Sequence, residues 1–292
     1  MHASIQHAGI ARPGFVQGAD GVELFYRDWG AGRPVVFVAS WSLPSDSWSY
    51  QMLALLEAGY RTIAFDRRGH GRSTDPGRGY DFDTLADDIA AVLDSLDLRG
   101  AVLVGHSMGC NEIVRYLTRH GSARVAGVVL LGTMTPFVLK TQDNPDGIDA
   151  GFFETFREQL MRDFPQWIAD NMVPFVHPDT PAGMKDWVRQ MALGASLQAL
   201  VACNRSLVNT DFRQELARID VPALLIAGEL DASAPLDLTA RATARLIPHA
   251  RLRVLEGAPH GMFITHMAEI KRELLEFADA IAQNRQHLLR EA

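Results

Sequence analysis

Cysteine is nearly missing from this chain of 292 residues: Cys110 and Cys203 are too few for a disulfide framework and lack the paired spacing of a zinc site. That scarcity suits a reducing compartment. The opening "MHASIQHAGIARPGF" also lacks a basic start followed by an apolar segment, so a cytoplasmic location with a short, loose N-terminus is expected. A basic excess is missing too. Lys and Arg number 28 against 35 Asp and Glu, a net charge of -7, which argues against a phosphate-backbone binder, since nucleic-acid proteins usually carry a basic face, and nucleic acid is not an expected partner. No apolar run approaches the length of a membrane span, so no membrane partner is expected. HExxH, a CxxC pair and a phosphate-binding glycine loop after the first strand are all absent, and the sequence implies neither a metal nor an organic cofactor. Internal repeats and low-complexity segments do not occur. What is present is an ordinary globular composition, 47% hydrophobic and 22% charged, sufficient for one large core with an insertion or for two domains. The sequence leaves a homo-oligomer open.

Apolar runs rich in Val, Ile and Leu recur at "PVVFVA" (34–39), "RTIAFD" (61–66), "AVLVGH" (101–106), "VAGVVLLG" (125–132), "VPALLIAG" (221–228) and "ARLRVLEG" (250–257). They are continuous rather than alternating, which predicts strands buried on both faces. Helical patterns lie between them, for example Leu85, Ile89, Val92, Leu93 and Leu96. Strand and helix in alternation predict an α/β fold, a mostly parallel sheet with helices on both faces. "VELFYRDW" (22–29) alternates better and is expected to form an antiparallel edge hairpin with the segment after it. From 134 to 211 the rhythm stops and amphipathic helical stretches succeed one another. The predicted organisation is therefore a core over 1–133, a helical cap over 134–211 and the rest of the core over 212–292. Large apolar residues there, Phe137, Phe152, Trp167, Phe175, Trp187 and Met191, are candidates to wall a cleft beneath the cap, because ligand sites in open sheets lie beyond the carboxyl ends of the strands.

At one of those strand ends stands "LVGHSMGCNE" (103–112). G-x-S-x-G is weak by itself, but here it joins a buried strand to a helical pattern, the context of a nucleophile elbow. So abrupt a reversal strains Ser107, lifts its hydroxyl out of the sheet and needs glycine at 105 and 109. The same turn sets the hydroxyl at a helix N-terminus, where developing negative charge is favoured. A serine hydroxyl needs a base, and the base needs an acid to orient it. Both come from later strand ends: Asp231 in "ELDASAP", with Glu229 and Asp237 as weaker candidates, and His260 in "APHGMF". Of the ten histidines, His2, His7 and His287 are terminal, His106 is fixed in the elbow, and His120 reads as a helix-end cap. Cys110, next to the elbow, reads as a small buried packer rather than a second nucleophile.

These motifs, with "FDRRGHGRS" (65–73), "RVAGVVLLGTMTP" (124–136) and "GAPHG" (257–261), resemble the α/β-hydrolase superfamily from about Gly21 to Ala282, and within it the cofactor-free haloperoxidases, perhydrolases and aryl esterases. The resemblance implies an eight-stranded sheet with a helical cap insertion and a triad of Ser107, His260 and Asp231. It implies an oxyanion hole made by the backbone N–H groups of Trp41 and Met108. It also makes "FDRRGHGRS" a structural turn in which Asp66 and Arg68 hydrogen-bond loop backbone and His70 stays off the substrate. Two departures stand in "ASWSLPSDSW": Ala39 and Ser40 replace the usual His-Gly pair, and Ser42 stands where perhydrolase-like members commonly carry proline. The second departure favours plain hydrolysis. The expected activity is hydrolysis of small carboxylic esters or lactones through an acyl-serine. Amide or lactam hydrolysis and perhydrolysis are alternatives on the same triad, and a slow-turnover ligand-binding protein is the alternative of another class. Dehalogenation and epoxide opening are disfavoured, since those relatives place aspartate where this chain has Ser107.

Overall fold

A computed structural model describes residues 14–291 of the chain. The N-terminal segment expected to be loose lies, as far as residue 13, outside the described residues. Eight strands form one sheet: β1 (Phe15–Gln17), β2 (Glu23–Trp29), β3 (Pro34–Val38), β4 (Arg61–Phe65), β5 (Ala101–His106), β6 (Val125–Leu131), β7 (Ala223–Gly228) and β8 (Arg251–Leu255). Their order across the sheet is β1-β2-β4-β3-β5-β6-β7-β8. From β4 to β8 every pairing is parallel. The continuous apolar runs are explained by the two faces. Val36 and Val38 of β3 pack with α2 (Phe82–Ser95) and α3 (Met108–His120), while Val35 and Phe37 pack with α1 (Ser49–Glu57) and α11 (Met267–Glu291) on the other side.

Two strand expectations are corrected. β2 pairs antiparallel with β1 before it and with β4 after it, so its hairpin partner precedes it and β1 is the edge. Three residues are too short to show a pattern of their own. β8 is the opposite edge, and Arg251 and Arg253 leave it half exposed rather than buried on both faces.

Between β6 and β7 the chain leaves the sheet for a helical insertion, α4 (Ala150–Arg162), α5 (Phe164–Val176), α6 (Ala182–Leu193) and α7 (Leu197–Asn209). Local signals start two of these helices: Asp163 accepts from the N–H of Gln166 at 3.0 Å to cap α5, and Ser196 accepts from Ala199 to cap α7. α8 (Arg213–Leu216), α9 (Ala240–Leu246) and α10 (Met262–Thr265) complete the chain. The small core of the insertion, Leu160, Ala195 and Leu200, reaches Trp41 in the loop after β3. Among the described residues no single helix is long and apolar enough to cross a membrane; α6 and α7 meet that test only as a pair bent by 90°.

Candidate active site

Parallel register brings the relevant strand ends to one edge. Val38 pairs with Gly105, His106 with Leu131, Leu131 with Ile226 and Gly228 with Leu255, so the loops after β3, β5, β7 and β8 emerge side by side. Ser107 follows β5 at once with φ 56° and ψ -119°, a conformation costing on the order of 1–3 kcal/mol. Its two glycines serve different contacts. A Cβ on Gly105 would meet Cys110 N and Gly109 across the turn at 2.8 Å, whereas a Cβ on Gly109 would lie 2.4 Å from the Val38 carbonyl oxygen. The second contact presses the start of α3 against the end of β3. It thereby sets Met108, whose N–H opens α3 without an intrahelical acceptor, close to the Ala39–Trp41 loop.

His260 and Asp231 meet as a buried pair, Nδ1 to Oδ2 at 2.7 Å. The carboxylate accepts there, so Nδ1 carries the proton and Nε2 presents a lone pair. The other oxygen of Asp231 accepts from the N–H groups of Ser233 at 3.0 Å and Ala234 at 2.7 Å, which holds the carboxylate in place. Gly132, at φ 52°, leaves room for the pair, since a Cβ there would stand 3.3 Å from the imidazole. Of the three acids weighed from the sequence, Asp231 reaches the histidine. Glu229 accepts from Gly257 N instead, and Asp237 pairs with Arg241.

Ser107 and His260 share a cavity of about 270 Å³ with Ser40, Trp41 and Ser42, walled mostly by apolar side chains of the insertion. Against roughly 300–1,000 Å³ for ligand pockets in general, this suits a small substrate. Phe152, Trp167 and Phe175 line it, Phe152 at an exposed position. Trp187, Met191 and Phe137 do not, which corrects the expected wall. α6 turns Val188 and Ala192 to the cavity, and Trp187 and Met191 lie one position away on the adjoining face, Trp187 edge-on to Tyr50. Phe137 lies instead beneath the guanidinium of Arg213, 5.5 Å from its ring centre.

The structure also brings in two residues to which the sequence reading gave no such role. Arg67 is buried and donates from Nη2 to the carbonyl of Ala39 at 2.6 Å, from Nη1 to that of Ser40 at 3.1 Å, and from Nε to Glu112 Oε1 at 2.7 Å. Glu112 belongs to α3, so this one side chain ties the loop bearing Trp41 to the helix bearing Met108. Burial, with a smaller push from the Asp88 charge, raises the Glu112 carboxyl to about 7 although Arg67 opposes it, and Oε2 has no hydrogen-bond partner among the described residues. His106 is the second. Its Nε2–H donates to the His260 carbonyl at 3.0 Å, and burial holds its pKa well below the ordinary value, so it acts as a neutral strut. The only signal for Arg67 in the sequence is its place in "FDRRGHGRS" between Asp66 and Arg68. Asp66 does bind loop backbone, accepting from Ser45 N and Arg72 N, but Arg68 pairs with the carboxylates of Asp88 and Asp20 instead. His70 is buried, with Nδ1–H donating to the carbonyl of Arg68, and does not line the cavity. His120 reaches Asp87 of α2 rather than capping its own helix. Cys110 is fully buried, and burial pushes its thiol far above the ordinary range.

Known proteins resemble this chain in sequence and in fold. Residues 35–273 match the pattern described as "Alpha/beta hydrolase family". The non-heme chloroperoxidase CPO-A1 of Kitasatospora aureofaciens is 42% identical over 265 residues, covering 88% of this chain and 96% of its own. The bifunctional esterase/perhydrolase DCH of Acinetobacter calcoaceticus is 38% identical over 276 residues, covering 90% and 99%. The crystal structure of a bromoperoxidase from Bacillus anthracis superposes with a TM-score of 0.88 at 34% identity over 91% of this chain and 99% of that one. By sequence and by fold, this chain belongs to the alpha/beta hydrolase family, among its relatives of the non-heme haloperoxidase, perhydrolase and esterase type.

Proposed function

We propose that the protein hydrolyses small carboxylic esters or lactones through an acyl-Ser107 intermediate. The observation that carries this reading is the strained Ser107 sharing one small apolar cavity with His260, whose Nδ1 is held by Asp231 at 2.7 Å. His260 takes the proton of Ser107 through Nε2 as the hydroxyl attacks the carbonyl carbon, and returns it to the leaving alcohol. Asp231 fixes the tautomer and stabilises the imidazolium. The N–H groups of Trp41 and Met108 receive the tetrahedral oxyanion. Water, deprotonated by the same imidazole, then attacks the acyl carbon and releases the acid with Ser107 restored.

The similarity to proteins named as chloroperoxidases and as a perhydrolase raises a second outcome for the same intermediate, attack by hydrogen peroxide to give a peracid. Ser42 supports water over peroxide. Its φ of 67° is closed to proline, so this loop could not hold the proline that the resemblance to perhydrolase-like members leads one to expect after Trp41. The test is Ser107→Ala, assayed on p-nitrophenyl esters, lactones and amides with and without peroxide, beside organophosphate labelling of the wild type. Turnover should fall by several orders of magnitude and the label should sit on Ser107. Label on another residue, near-normal turnover in the variant, or a tightly held ligand with negligible ester turnover would overturn the reading.

A further inference from the structure

Helix α7 turns Leu200, Asn204 and Leu207 inward, and the middle residue breaks the apolar pattern. Asn204 is only 5% exposed and lines the cavity. A primary amide is costly in such a place unless its polar groups are used. Half of it is accounted for, because Nη1 of Arg157 on α4 donates to Asn204 Oδ1 at 2.9 Å. That bond also sets the orientation: with the oxygen turned to α4, the Nδ2 amino group is left for the cavity.

Its position along the substrate follows from two neighbours. The indole Nε1 of Trp41 donates to the carbonyl of Leu200 at 2.9 Å, one helical turn before Asn204, which puts Asn204 on the wall that bears the oxyanion loop. His260 belongs to the wall made with Phe175, Ala232 and Ser233. His260 delivers its proton to the leaving oxygen, so the alcohol occupies that side and the acyl chain runs toward Trp41. From this placement we infer that Asn204 is a specificity-determining residue whose Nδ2–H donates to an oxygen within the acyl chain. The preferred substrates are then esters of acids bearing an ether, keto or amide oxygen, rather than plain alkanoates. This inference rests on the reading of Ser107 as the acylated nucleophile.

A purely structural alternative is that Asn204 only ties α4 to α7 through Arg157. Two matched pairs of p-nitrophenyl esters separate the two roles: methoxyacetate against butyrate, and 3-methoxypropanoate against pentanoate, each replacing one methylene by oxygen. Dividing kcat/KM by the hydroxide-catalysed rate constant of each ester removes the difference in intrinsic reactivity. In the wild type the corrected ratio should favour the ether in at least one pair by about 2- to 10-fold, the worth of one neutral hydrogen bond. Asn204→Leu removes the donor, and Asn204→Asp removes it while keeping a partner for Arg157; both should bring the ratio to one or below. A wild-type ratio of one or less in both pairs overturns the inference without any variant. So does an unchanged ratio in the two variants, with both esters slowed alike. The foundation is checked separately: butyrate hydrolysis that survives Ser107→Ala sinks the proposed mechanism, whereas Ser107-dependent hydrolysis without ether preference sinks only the role of Asn204.

Discussion

A guanidinium that holds two backbone carbonyls and a carboxylate at once cannot be replaced by an ammonium, which has charge but no planar fork. Arg67 is such a group, and its carbonyl partners, Ala39 and Ser40, stand where the family usually has His-Gly. Arg67→Lys should therefore release the loop that carries the Trp41 amide while keeping the buried charge. We expect kcat to fall on the order of 10²-fold, toward the cost of losing one oxyanion donor, with KM changed little. A parallel rise in KM with kcat intact would show that the loop serves binding instead. The partner carboxylate adds a pH signature. Because the folded-state pKa of Glu112, about 7, lies above its ordinary value of 4.5, the folded state binds the extra proton between these values. The stability this contributes is complete below pH 4.5 and is lost as pH rises through about 7. Urea unfolding between pH 5 and pH 8 should show wild type losing more stability than Glu112→Gln; equal losses would place the effect on another group.

At the scale of elements, the insertion is moored to the histidine loop. Gly261 N–H donates to the Phe175 carbonyl at 2.6 Å, and the Phe175 ring lies edge-on to His260, with centres 5.7 Å apart. A Cβ on Gly261 would sit 2.7 Å from that carbonyl oxygen, so Gly261→Ala must separate α5 from the loop. Turnover should drop by as much as about 10²-fold through displacement of the imidazole, while the melting transition of the sheet core shifts little. Unimpaired turnover would mean that α5 only covers the site. None of this coupling was legible in the sequence, because backbone contacts between distant segments leave no mark on composition or period. The central strands were legible for the opposite reason: burial on both faces demands unbroken runs of Val, Ile and Leu. β1, at three residues, is too short to carry a pattern, and the apolar run of β8 suggests burial although its arginines face solvent. In α6 Trp187 and Met191 are the larger apolar residues, yet the smaller Val188 and Ala192 face the cavity; helical phase, rather than side-chain size, decides which residues touch a ligand.

For the whole molecule, the parallel register and the insertion define a small, mostly apolar chamber in a chain of net charge -7. Ser107, His260 and Asp231 could be picked out because each stands just beyond a strand readable on its own, whereas chamber size and lining depend on how four helices pack over those ends. The cavity of about 270 Å³ carries a selectivity with a definite shape. Each methylene added to the acyl chain and buried against Trp167, Ile168 or Met172 should contribute about 0.8 kcal/mol, raising kcat/KM about fourfold until the wall is reached. Beyond that length the rate should fall abruptly, since a packed interior yields to overfilling only at a cost of about 1–3 kcal/mol. A carboxylate on the acyl chain should be rejected, because the predominantly apolar wall gives back little of its hydration and the net charge opposes its approach. The measurement is kcat/KM for p-nitrophenyl esters from acetate upward, with hemisuccinate as the charged counterpart of a neutral ester of equal length. A profile flat in chain length, or one in which the charged ester is preferred, would mean that substrates bind outside this chamber.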